Sequence, residues 1–196
     1  MKNRSGVLFI VEIAIFTALA ILLDLLSGFL TGRFWPQGGS VSIGMLPVLI
    51  MAFRWGLKGG LLSGFLFGAL QIVVGQPSIY HPVQGFIDYF LAFTVVGFAG
   101  LFAQQVQKGL QEKKRQVWIS YIVLGTVLGS FLRFICHYIT GIIFFGIFAP
   151  EGQPVAIYSL VYNGGYMLVT GILCTVLLLV IMPALPKKYS TTIRTA

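Results

Sequence analysis

Apolar residues gather along the chain in six blocks, separated by short segments rich in Gly, Pro and charge. The blocks predict helices at 7–27, 44–54, 57–75, 83–104, 118–146 and 158–185. About 20 apolar residues at roughly 1.5 Å per residue cross the hydrocarbon of a bilayer, and somewhat fewer suffice where flanking side chains reach the interface. Membrane barrels alternate apolar and polar positions in segments of about ten residues, and these blocks do not alternate. The second block is short, and the tight turn Trp55-Gly56-Leu57-Lys58-Gly59 returns the chain into the third. The apolar pattern of the fifth block continues to Phe148, longer than one bilayer, so its helix is expected to break near Gly141 or Gly146. The expected fold is an all-α integral membrane protein, a single domain over 1–196 with six transmembrane helices. The first block carries Glu12 and Asp24 and no convincing cleavage site, so it reads as a retained helix rather than a leader.

Charge orients this bundle. Only 9% of residues are charged, against about 25% in soluble domains, and mean hydropathy is +0.92. The net charge of +8 does not signal nucleic acid. Eleven of the thirteen Lys and Arg residues fall before helix 1, between helices 2 and 3, between helices 4 and 5 in the basic connection 104–116, or after helix 6. Six crossings put all these segments on one side, which is the positive-inside pattern and predicts cytoplasmic N- and C-termini. Arg33 alone lies in an opposite-side loop, and Arg133 lies within helix 5. Cys136 and Cys174 sit in apolar blocks without metal or CxxC spacing and read as buried thiols; no metal site is expected.

The topology also sorts the polar residues. Asp88 lies six positions after Pro82 in an otherwise apolar run, and carboxylates at membrane depth cost a few kcal/mol and usually serve a function. Tyr89, Gln71, Tyr158, Asn163 and Tyr166 fall toward the same outer face, as do the loop residues Trp35, Gln37, Tyr80 and His81. Arg133 and His137, four apart on helix 5, share a face. The cytoplasmic halves offer little that is comparable; Glu12 is close enough to the inner rim to snorkel. Asp88 could serve as an ion-pair partner of Arg133 or as the counter-ion of a ligand, and Asn163 as interhelical glue or as a ligand donor. One carboxylate, several aromatic rings and an amide together suit a flat, cationic heteroaromatic molecule. The Gly-rich segment around Trp35 suits a lid. Small residues recur at four-residue spacing at Gly60, Gly64 and Gly68, at Ala14 and Ala18, and at Gly125 and Gly129. Such faces serve internal packing or the docking of a partner.

Four segments carry a resemblance: Trp35-Pro36-Gln37-Gly38-Gly39-Ser40-Val41-Ser42-Ile43, His81-Pro82-Val83-Gln84 with Asp88-Tyr89, Arg133 with His137, and Tyr158-Ser159-Leu160-Val161-Tyr162-Asn163. Together they resemble the thiamine-specific substrate-binding (S) subunits of the ThiT/YuaJ family, part of the bacterial energy-coupling factor (ECF) transporters. The resemblance implies a multi-pass protein of the bacterial cell membrane that captures thiamine from outside with high affinity. It implies no enzyme: a transmembrane coupling protein and two ATPases would energise uptake, and the chain has no GxxxxGK[ST] phosphate loop. No cofactor is implied, since thiamine is the cargo. The ligand set implied is Trp35, Asp88, Tyr89, His137, Phe145, Tyr158 and Asn163, with Arg133, Gln71, Gln37 and Tyr80 as second-layer or lid residues. Ala14 and Ala18 would contact the coupling protein. Some members have Glu at the position of Asp88 and Trp at that of Phe145; both changes conserve the chemistry. The competing readings are an S subunit for another vitamin, a proton-coupled transporter using Asp88, Arg133 and His137, and an intramembrane enzyme. The second lacks a visible inverted repeat; the third lacks a second acid, a nucleophile or a metal set.

Overall fold

The computed structural model describes residues 2–75 and 77–185, with side chains from Gly6 onward. The side chains of Lys2 and Arg4, and all of Gln76, Lys187, Lys188 and Arg194, lie outside the described residues. Those described are all-helical, without a strand. The helices are α1 (Lys2–Thr31), α2 (Met45–Val73), α3 (Pro82–Gln111), α4 (Arg115–Phe144) and α5 (Val155–Ala184). By length and composition these five stretches can cross a membrane.

The difference from six predicted helices rests on Gly56. Its φ of 72° and ψ of −163° interrupt α2 with a conformation only glycine adopts readily. A continuous helix would hold Gly44 and Phe67 roughly 35 Å apart at about 1.5 Å per residue. Instead a methyl on Gly44 would lie 3.0 Å from the Phe67 ring, and one on Gly60 would lie 2.7 Å from Cβ of Ala52. The arms 45–55 and 57–73 therefore fold back on each other as a hairpin. Every residue from Met45 to Arg54 is buried. The first arm is apolar all round because protein surrounds it. Its Leu49 and Phe53 join Phe67, Val96, Ile122 and Leu178 in the common core.

Several boundaries move. α1 is helical to Thr31, four residues past its expected end at 27, and α5 begins at Val155 rather than 158. α3 runs to Gln111, so most of the expected connection 104–116 is helix and only 112–114 turns. There the Lys114 ammonium, 2.7 Å from Glu112, holds that carboxyl below the usual carboxylate range. α4 stops at Phe144 and passes into the 3-10 turn Gly146–Phe148. α3 is itself irregular, with a π-helical turn Phe86–Leu91 and a 3-10 stretch Gly97–Phe102.

Small residues seat the hairpin against its neighbours. A Cβ on Gly64 would collide with the Phe93 carbonyl and one on Gly68 with the Tyr89 carbonyl, so the second arm touches the α3 backbone directly. Gly125 and Gly129 bring α4 equally close to Phe53 and Val96. These faces serve internal packing, whereas Ala14 and Ala18 face outward from α1. Glu12 does not snorkel. It is buried and accepts hydrogen bonds from Arg54 Nε (3.0 Å), Arg54 Nη2 (2.6 Å) and Trp55 Nε1 (2.7 Å), clasping α1 to the Gly56 turn.

Candidate functional site

At the end of the bundle away from this clasp, all five helices and two loops line a cavity of about 440 Å³, within the roughly 300–1,000 Å³ of small-molecule pockets. The site is built outward from Asp88, which is 7% exposed. The π-helical turn adds a residue to the helical repeat, a distortion common at functional sites, and Asp88 sits in it. Its Oδ2 accepts from Gln84 Nε2 at 2.7 Å, one turn earlier on α3. Its Oδ1 accepts from Thr140 Oγ1 at 2.6 Å and meets His137 Nδ1 at 2.9 Å, both on α4.

Arg133 does not pair with Asp88. Its Nε donates to His137 Nε2 at 3.3 Å, and its guanidinium lies 4.2 Å from the centre of the Phe93 ring. Arg133 is always a donor, so Nε2 is the unprotonated nitrogen of His137 and the Nδ1 proton goes to Asp88. A neutral imidazole thus relays between a buried cation and a buried anion.

The aromatic wall comes from α5, the lid and Phe145. Tyr166 hydroxyl donates to Asn163 Oδ1 at 2.9 Å, and its ring meets Trp35 edge-on with centroids 5.9 Å apart. Tyr158 lies against Tyr162 at 5.5 Å. Asn163 Nδ2 donates to the His137 carbonyl at 3.2 Å and to Ser159, so this amide ties α5 to α4 while bordering the cavity. The segment around Trp35 is tied to α5: Gln37 N–H donates to Tyr162 hydroxyl at 3.0 Å, which donates in turn to the Gly38 carbonyl at 3.1 Å. Tyr89 presents its ring to the cavity while its hydroxyl accepts from Ser78 N–H at 2.7 Å.

Trp35, Asp88, Tyr89, His137, Phe145, Tyr158 and Asn163 all line this one cavity, and so do Arg133, Gln71 and Gln37. Tyr80 does not. It is 57% exposed and packs on Phe145 at 5.2 Å, buttressing the wall from outside. His81 is likewise exposed, stacked on Phe144 and capping α3 through Nδ1. Sequence reasoning passed over Asp24, a second carboxylate on the wall, and the supporting roles of Gln84 and Thr140. Asp24 had carried a signal, being an acid near the outer end of an apolar helix as Asp88 is. No group of residues suited to a metal occurs among those described.

The family model of the thiamine transporter proteins (Thia_YuaJ) matches residues 10–190. This chain belongs to that family. The thiamine transporter ThiT of Bacillus subtilis (strain 168) is 43% identical over 187 residues, covering 95% of this chain and 96% of that one. ThiT of Lacticaseibacillus paracasei is 31% identical over 192 residues, covering 96% and 94%. Among solved structures, ThiT from Listeria monocytogenes superposes with a TM-score of 0.85 at 28% identity, covering 94% of this chain and 98% of that one. The chain thus has the fold of a Thia_YuaJ membrane protein, and its cavity is framed by the segments that carried the resemblance.

Proposed function

We propose that this protein captures thiamine from outside the cell and serves as the substrate-binding subunit of an ECF-type uptake system. The observation that carries the reading is the aromatic, carboxylate-bearing cavity in a chain of the thiamine transporter family. Thiamine is a cation with two flat rings. Trp35, Tyr89 and Phe145 supply ring faces, which attract a desolvated cation by up to about 2 kcal/mol. Asp88, His137, Tyr158 and Asn163 supply acceptors and donors for the aminopyrimidine. Arg133 orients Asp88 through His137.

In this reading the cavity faces outward, the Gly56 hairpin gives six crossings, and both termini are cytoplasmic. ATP hydrolysis belongs to partner subunits, and the outward Ala14–Ala18 face of α1 receives the coupling protein. The setting is the bacterial cell membrane. Titration of purified protein with thiamine, followed by tryptophan fluorescence, tests the ligand. Saturable quenching absent with riboflavin and biotin is expected; no response to thiamine refutes the reading. Asp88→Asn is expected to weaken binding at least about 100-fold in a folded protein, since a hydrogen-bonded charge in a buried site is worth roughly 3 kcal/mol.

A further inference from the structure

Asp24 is the second carboxylate on the cavity wall. It lies on α1, and its carboxylate accepts from Ser42 Oγ and from Gln71 Nε2, both neutral donors. Among the described residues no cation lies within ion-pair distance of it. Asp88 differs, because His137 links it to Arg133. The two carboxylates share no partner: those of Asp24 belong to α2 and to the chain returning from the lid, those of Asp88 to α3 and α4. Two carboxylates against one guanidinium leave the cavity one net negative charge, and Asp24 is the carboxylate on its α1 wall.

A carboxylate beside apolar membrane helices, hydrogen-bonded but without a counter-ion, is costly unless something cationic arrives. We infer that Asp24 is the counter-charge for the positive ring of the bound ligand, and sets the site's preference for a cation over a neutral molecule of the same shape. The inference rests on the thiamine reading and deepens it: the thiazolium faces the α1 wall at Asp24, leaving Asp88 to hydrogen-bond. The same contact couples occupancy to the lid. Ser42, which donates to Asp24, also presents its backbone N–H to Thr170 Oγ1 at 3.1 Å and accepts from Gly44 N–H at 3.0 Å, where the lid segment rejoins α2.

The experiment compares thiamine with its isostere in which a neutral thiophene replaces the thiazolium, by equilibrium titration of purified protein. The wild type is expected to prefer thiamine at least about tenfold, as a close ion pair at intermediate dielectric allows. In Asp24→Asn, which keeps the size and an acceptor, and in Asp24→Ser, thiamine should weaken by about tenfold or more while the isostere stays within about threefold. Asp88→Asn should weaken both ligands and keep the preference. A wild type with no preference overturns the inference, as do Asp24 variants that bind both ligands as before. Variants that lose both ligands equally also overturn it, because that is the mark of a purely structural tie to the lid. A wild type that binds neither ligand overturns the thiamine reading and this inference with it; one that binds thiamine with Asp24→Asn unaffected overturns this inference alone.

Discussion

Asp88 is held by donors whose own positions are fixed. Gln84 Nε2 donates to the Ser78 carbonyl as well as to Asp88, and Gln84 Oε1 accepts from Tyr80 N–H, so this amide locks loop and acid together. Thr140 donates from α4, and its isostere valine keeps the volume without the hydroxyl. Thr140→Val should therefore cost about 1 kcal/mol of binding, roughly fivefold in affinity, with little change in melting temperature. Thiamine titration beside a thermal melt in detergent checks it. Asp88 and His137 were legible in the sequence because polar residues in apolar helices are few, and topology put them at one depth. The relay was not. Whether Arg133 points at Asp88 or at His137 depends on where Phe93 offers its ring, a matter of packing between α3 and α4 that no spacing encodes. Asp24 was visible as an acid, but its place on the wall depends on how α1 leans on the α2 hairpin.

At the scale of elements, the second arm of α2 positions α3, and α3 carries Asp88 and Tyr89. Gly64 meets the Phe93 carbonyl with no room for a side chain. Gly64→Val should push α3 away and cost about 1–3 kcal/mol, as overpacking does. A lowered melting temperature together with weakened thiamine binding is expected; unchanged affinity would separate this contact from the site. The glycine stripe was legible as a close-packing face, and the turn at Gly56 as a turn. The extension of α3 to Gln111 was less so, because Gln and Lys after 103 look like a solvent connection while Gly109 of their helix packs against Trp118 of α4. The π-helical turn at Asp88 leaves no pattern in sequence, since one inserted residue shifts the apolar phase only locally.

Over the whole molecule, polarity runs along the bundle axis. The cavity occupies one end, and the Glu12–Arg54–Trp55 clasp the other, with Asp24 twelve positions beyond Glu12 on α1, roughly 18 Å at about 1.5 Å per residue. Lys108, Lys113, Lys114 and Arg115 surround the α3–α4 turn, whereas the connection 149–154 before α5 carries Glu151 and no cation. Cations near the ends of short loops hold those loops in the cytoplasm. Alkaline phosphatase fused after Lys113 should therefore be inactive, and fused after Gly152 active, because that enzyme matures only outside the cytoplasm. The hairpin returns Phe67 beside Gly44, so α2 begins and ends on one side. With the hairpin at Gly56 crossing twice, α3 ends on the same side as the N-terminus. A third fusion therefore joins the reporter after Lys58, just beyond the Gly56 turn. Inactivity at Lys58 and Lys113 with activity at Gly152 is expected; activity at Lys113 with inactivity at Gly152 would refute this orientation and turn the cavity inward.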